Sequence, residues 1–140
     1  MPYTVRLAAY LCVAGLAGSL LIGFLDPTPL PAVPEGMEDA VRLGTVVGII
    51  LGVAANAFGV WLTWKAYSRR NWARIVLLVA TVVGISLYLP HIASLWGASA
   101  VFGIGDGFFI ACEAVGAVLF FVPDSNRWFR SASRVQQEAG

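Results

Sequence analysis

Four apolar runs, each close to the roughly 20 residues that a helix needs to cross hydrocarbon, fill most of this 140-residue chain. They extend from about Val5 to Leu25, Leu43 to Ala66, Ala73 to Trp96 and Val101 to Val122. Polar or turn-rich stretches separate them: "DPTPLPAVPEG" after the first, "YSRRN" after the second and Pro123 after the fourth. Lipid offers backbone N–H and C=O groups no partners, so such runs must satisfy themselves as helices. The pattern predicts an all-α integral membrane protein, a single transmembrane four-helix domain over 1–140 arranged as an up-down bundle. The first run exceeds the apolar core of an ordinary signal peptide and no clear small-x-small cleavage site follows it, so it is expected to be retained.

Composition narrows the function. The chain is 59% hydrophobic and 12% charged, with a net charge of +1. No basic excess is left over to attract nucleic acid. The few charges matter by position instead. Arg6 flanks the first run, Lys65, Arg69, Arg70 and Arg74 surround the second loop, and Arg127, Arg130 and Arg134 lie in the tail, with only Arg42 on the opposite side. The positive-inside tendency therefore places both termini and the second loop in the cytoplasm. The first loop, Asp26 to Asp39, holds four prolines and several acids and is expected to be a stiff, irregular link on the outer side.

Within lipid the hydrophobic effect does not press helix against helix, so association depends on small residues and a few hydrogen bonds. Gly44, Gly48 and Gly52 stand four apart on the second run with Asn56 continuing the stripe, and Gly103, Gly107 and Ala111 form a weaker counterpart on the fourth. These glycines are expected to pack helix on helix inside the bundle, with a dimer interface as the alternative.

Asp106 and Glu113 sit seven residues apart in the fourth run, nearly two turns, so both carboxylates share one side of a helix. Counting about 1.5 Å per residue from the run ends puts Glu113 near the bilayer centre, level with Asn56. The same count puts Asp106 about two turns further out, toward His91 and Arg42. An ionised carboxylate facing lipid costs a few kcal/mol or more, so Glu113 is expected to be protonated, hydrogen-bonded or beside water.

Glu113, Asp106, Asn56 and His91 are thus the candidate polar intramembrane site. Two readings stay open: a polar pocket or proton path opening to the outside, or Glu113 bonding Asn56 as interhelical glue with Asp106 as a helix-start or interfacial residue. His91 follows Pro90, a kink-forming position. HxxxH, ExxH and CxxC spacings are missing, so neither a metal nor a cofactor is expected. Cys12 and Cys112 read as small buried hydrophobes. Without a Ser/His/Asp spacing, a phosphate-cradling loop or a nucleophile elbow, the chain is not expected to be an enzyme.

The basic corner "YSRRNWARIVLLV" offers Asn71 as a helix cap, Trp72 at headgroup level, and Arg69, Arg70 and Arg74 for lipid phosphates. In the tail "LFFVPDSNRWFRSAS", Pro123 is expected to stop the fourth helix while Trp128 and Arg130 return to the interface as further anchors. This "RNWAR" corner together with the "WFR" tail resembles a group of small, uncharacterised four-helix inner-membrane proteins of bacteria. The resemblance implies the fold and a bacterial inner (cytoplasmic) membrane location; it brings no catalytic residue, and Asp106 and Glu113 lie outside it. The partners to expect are the lipid bilayer and either another membrane protein or a second copy of the chain. The functional expectation is a non-enzymatic accessory or interaction protein. The alternative is a small proton-coupled transporter using Glu113, and below that stands an immunity or envelope-stress protein.

Overall fold

The computed structural model describes residues 1–25, 36–98 and 100–138, with side chains at 1–25, 36–89 and 100–131. The proline-rich link at 26–35 lies outside the described residues. Five helices follow in order: α1 Tyr3–Leu25, α2 Glu38–Tyr67, α3 Asn71–Ala98, α4 Ala100–Leu119 and α5 Pro123–Glu138. The first four are long and apolar enough to cross a membrane. α2 begins more than a turn before the expected Leu43, because Glu38 and Asp39 fall in its first turn, where carboxylates offset the unpaired N–H groups of a helix start.

Each of α1 to α4 touches the next, and α4 returns to α1, which closes an up-down four-helix ring. Large apolar side chains such as Leu21, Ile50, Leu87, Val101 and Phe108 stand on its outer surface. Such a surface would drive aggregation in water, whereas lipid tails solvate it. The fold is that of a multi-pass membrane protein.

The tightest seam joins α1 to α4, antiparallel, and it is built from small residues. Val5, Ala8, Cys12, Gly15 and Gly18 are buried along one face of α1. A Cβ on Gly15 would lie 2.6 Å from the Phe109 carbonyl oxygen and 2.8 Å from the Glu113 nitrogen. One on Gly116 would lie 2.8 Å from both the Ala8 oxygen and the Cys12 nitrogen. A Cβ on Gly18 would run into the Phe109 ring. Backbone meets backbone here, so dispersion contacts accumulate that a larger residue would forbid.

This corrects the expected packing stripe. A Cβ on Gly44, Gly48, Gly52 or Gly107 would meet nothing within 4 Å; inside one chain these glycines admit no neighbouring helix. Four-residue spacing permits a close approach, but within the chain no neighbouring backbone takes it up here.

The core is uneven along the bundle axis. Val5, Ala8, Cys12, Leu62, Ala66, Ala73, Leu77, Phe120 and Phe129 form one buried cluster, all of it at the end that carries the α2–α3 corner and the start of α1. α2 is buried only at Leu62, Thr63 and Ala66, and no residue of its most apolar stretch is buried. The bundle is therefore shut at one end and splayed at the other.

At the shut end, α4 stops at Leu119 and the chain turns into α5. Pro123 does interrupt the span, but it also opens a new 16-residue helix, since a residue with fixed φ and no N–H suits the first helical position. α5 is bound to the bundle. Ser125 is buried and its hydroxyl donates to the Leu119 carbonyl at 2.8 Å. Phe129 is 2% exposed.

Arg74 completes the attachment. Its Nη1 donates to the Phe120 carbonyl at 3.1 Å and to Asn126 Oδ1, and its guanidinium lies 4.6 Å from the Phe129 ring centre. Arg74 is thus a cross-link between α3 and α5. We expect Arg74→Ala to loosen α5 by about 1.5–3 kcal/mol, the usual value of a charge-assisted hydrogen bond. Arg74→Lys should restore the attachment only in part, because an ammonium neither forks nor stacks as a guanidinium does. The check is the rate of trypsin cleavage at Arg127 and Arg130 in detergent; equal rates in all three proteins would rule the cross-link out.

The α2–α3 corner is a Schellman turn. Arg69 N–H bonds the Ala66 carbonyl and Arg70 N–H the Lys65 carbonyl, with Arg69 at φ +66° in the left-handed position where glycine is commonest. A side chain there costs about 1–2 kcal/mol. The Arg69 guanidinium lies 4.6 Å from the Trp128 ring centre, a cation–π contact that offsets part of that cost and ties the corner to α5.

Candidate functional site

The splayed half encloses a cavity of about 880 Å³ between α2 on one side and α1, α3 and the middle of α4 on the other. Its size falls within the range of roughly 300–1,000 Å³ typical of small-molecule sites. The walls are mostly apolar: Leu16, Leu20, Val53, Ile85 and Ile110 are among them. Glycines from three helices leave the space open, namely Gly23 on α1, Gly48, Gly52 and Gly59 on α2 and Gly84 on α3. Gly48 and Gly52 thus line a cleft, and the side chains they lack leave room in it.

Six polar side chains break the apolar wall: Ser19, Thr45, Asn56, Thr81, Tyr88 and Glu113. Thr81 is 4% exposed and its hydroxyl donates to Glu113 Oε1 at 2.9 Å, bridging α3 and α4. Asn56 Nδ2 donates to the Gly52 carbonyl of its own helix at 3.0 Å. The predicted Glu113–Asn56 bond is therefore replaced by Glu113–Thr81. Asn56 Oδ1 and Ser19 Oγ are buried and have no hydrogen-bond partner among the described residues. An unspent acceptor at membrane depth costs free energy unless something enters to use it.

Of the four residues expected to form the site, the structure brings Glu113 and Asn56 into one cavity. Asp106 shares the Glu113 side of α4, but it is 0% exposed and sits outside the cavity wall, in the body of the bundle. His91 is on α3; its side chain lies outside the described residues. Among those residues, no three His, Cys, Asp or Glu side chains group as metal ligands would. Cys12 is buried in the α1–α4 seam and Cys112 is half-buried, and both are free thiols.

The expected anchors divide into two sets. Arg70, Trp72 and Arg130 are exposed at the shut end, where headgroup contact is open to them. Trp72 also packs on Trp61 with ring centres 5.9 Å apart. Arg69, Arg74 and Trp128 are engaged with the protein. Sequence reasoning passed over Thr81 and Ser19 in the site and Gly15, Gly18 and Gly116 in the seam. The run "AGLAGS" at 14–19 was the available signal for the seam. No protein-family model, curated protein or solved structure matches this chain.

Proposed function

We propose that the protein is a small carrier of the bacterial cytoplasmic membrane, with both termini in the cytoplasm, in which Glu113 exchanges a proton as a ligand enters and leaves the cleft. The observation that supports this reading is a carboxyl group at mid-span depth in the wall of a cavity of about 880 Å³, held by one hydroxyl instead of being packed shut. Intramembrane acids are costly and are placed at working sites more often than elsewhere. A bundle shut at one end and open at the other also has the one-sided access that an alternating-access carrier adopts in each half of its cycle. Among the described side chains, titratable groups near Glu113 include Cys12 on α1, whose thiol lies 3.8 Å from the Glu113 carbonyl, its chain neighbour Cys112, and Tyr88 in the cavity wall. No lysine, arginine or histidine among the described side chains lines the cavity.

Water access tests this without knowing the ligand. A cysteine placed at Gly52, in a chain with Cys12 and Cys112 replaced by alanine, should react with a membrane-impermeant maleimide from the outer side. In right-side-out and inside-out vesicles it should also react, more slowly, from the inner side. Adding Glu113→Gln keeps the bond to Thr81 but removes the titratable proton, and it should abolish the slow inner-side reaction. A Gly52→Cys chain inert from both sides would end the carrier reading.

A second reading has its own support. α2 exposes nearly its whole length outside Leu62, Thr63 and Ala66, so an accessory protein could offer this helix to another membrane protein or to a second copy. Under that reading the cleft stays inaccessible to aqueous label.

A further inference from the structure

We infer that the cleft takes an amphipathic primary amine, its ammonium group held by Glu113, Asn56 and Ser19 and its apolar body lying between α2 and α3. The inference specifies the ligand of the proposed carrier site, and it concerns binding, which stands whether or not the ligand is transported.

The hydrogen-bond inventory of the cavity carries the argument. The Thr45 hydroxyl is spent on the Val41 carbonyl at 3.0 Å, that of Thr81 on Glu113, and Tyr88 is engaged in a contact of its own. The cavity-lining side-chain atoms left buried without a partner among the described residues are oxygens, Asn56 Oδ1 and Ser19 Oγ, and the Thr81 bond uses one of the two carboxyl oxygens of Glu113. Among the described side chains Glu113 is the one acid of the wall, and no cation lines it. A compact group that brings three N–H donors, a positive charge and no acceptor can donate to all three oxygens at once, and a primary ammonium is such a group. A carboxylate or phosphate would add acceptors and repel Glu113; an alcohol would bring one donor and no charge.

Register places the three oxygens at similar depths. A Cβ on Gly59 would lie 2.9 Å from Leu16 Cδ1, so these two residues are level. Asn56 and Ser19 each lie three residues toward the open end, about 4.5 Å along their helices, and therefore share a depth. Gly15 is level with Glu113, since a Cβ there would lie 2.8 Å from the Glu113 Cβ. Helical side chains lean toward the helix N-terminus, and α4 starts at the open end, so the carboxyl leans toward Ser19 and Asn56. All three oxygens then fall within about one helical turn, ~5.4 Å, of depth along the bundle axis, and all three residues line the same cavity.

An ammonium can arrive on a free amine or on the headgroup of an aminophospholipid. The test measures n-octylamine, n-octanol and octanoate by calorimetric titration of the full chain in nanodiscs of phosphatidylcholine and phosphatidylglycerol, with empty discs subtracted. Octylamine should bind at least about tenfold more tightly than octanol, as expected for exchanging a neutral for a charge-assisted hydrogen bond, and octanoate should not bind. Glu113→Gln should remove that preference, and Asn56→Leu should reduce it while leaving the α1–α4 seam untouched.

In discs containing phosphatidylethanolamine, loss of octylamine binding identifies the headgroup as the occupant, and undiminished binding identifies a free amine. Equal affinity for octylamine and octanol, or a Glu113→Gln protein that keeps the preference, overturns the inference. An amine preference in a protein whose Gly52→Cys variant resists aqueous label from both sides would retain the inference and discard the carrier.

Discussion

Gly116→Leu is expected to abolish the native bundle. The substituted side chain would start 2.8 Å from the Ala8 oxygen and the Cys12 nitrogen, both backbone atoms of a helix that cannot shift without parting from α4. Overpacking by even a methyl group typically costs about 1–3 kcal/mol. Leucine adds three further carbons in the same direction, so the loss should exceed about 4 kcal/mol, a large share of the roughly 5–15 kcal/mol that holds an ordinary domain together. Titration from dodecylmaltoside into sodium dodecyl sulfate should show Gly116→Leu unfolded before appreciable sulfate is added. Gly44→Leu serves as the control: nothing stands within 4 Å of its Cβ position, so its midpoint should shift by less than about 0.5 kcal/mol. Coincident midpoints for Gly116→Leu and the parent would mean that the seam does not hold the fold.

Gly52→Phe is expected to do the reverse, sparing stability while closing the site. Its Cβ position is open and the residue belongs to the cavity wall, so a phenyl ring there projects into the volume a ligand would use. Midpoint stability should stay within about 1 kcal/mol of the parent, because filling a cleft adds contacts without displacing backbone. Octylamine affinity should drop by at least about tenfold, equivalent to ~1.4 kcal/mol. Aqueous labelling of a cysteine at Asn56 should fall in parallel. Undiminished affinity in a folded Gly52→Phe protein would place the amine site elsewhere.

The two glycines show which parts of the fold are legible in the sequence. A run of about 20 apolar residues has essentially one fate, and so the four spans could be read directly. Which glycines meet a backbone depends on how the helices are rotated, and spacing does not determine that. Gly44, Gly48 and Gly52 are regular but open, whereas Gly15, Gly18 and Gly116 are irregular but tight. α5 was hidden because its residues are polar and amphipathic, and because Pro123 can end one helix and begin the next.

The site shows the same division. Glu113 stood out as an acid inside an apolar run, but its partner Thr81 did not. A hydroxyl in a helix ordinarily returns its proton to the carbonyl four residues back, as Thr45, Thr63, Ser68 and Ser86 all do. Thr81 instead bonds across to α4, and only the three-dimensional arrangement distinguishes it. Ser19 was lost for a related reason, since one serine among small residues carries no mark of the cavity it borders.

The confinement of α2's buried residues to Leu62, Thr63 and Ala66 makes that helix a lever with its fulcrum at one end. From Leu62 back to Glu38 it extends about 36 Å at 1.5 Å per residue, so a swing of about five degrees at the fulcrum displaces the tip by about 3 Å. The width of the mouth is therefore governed by contacts far from it, and a single methyl group gained or lost beside Leu62 would alter what the distant opening admits.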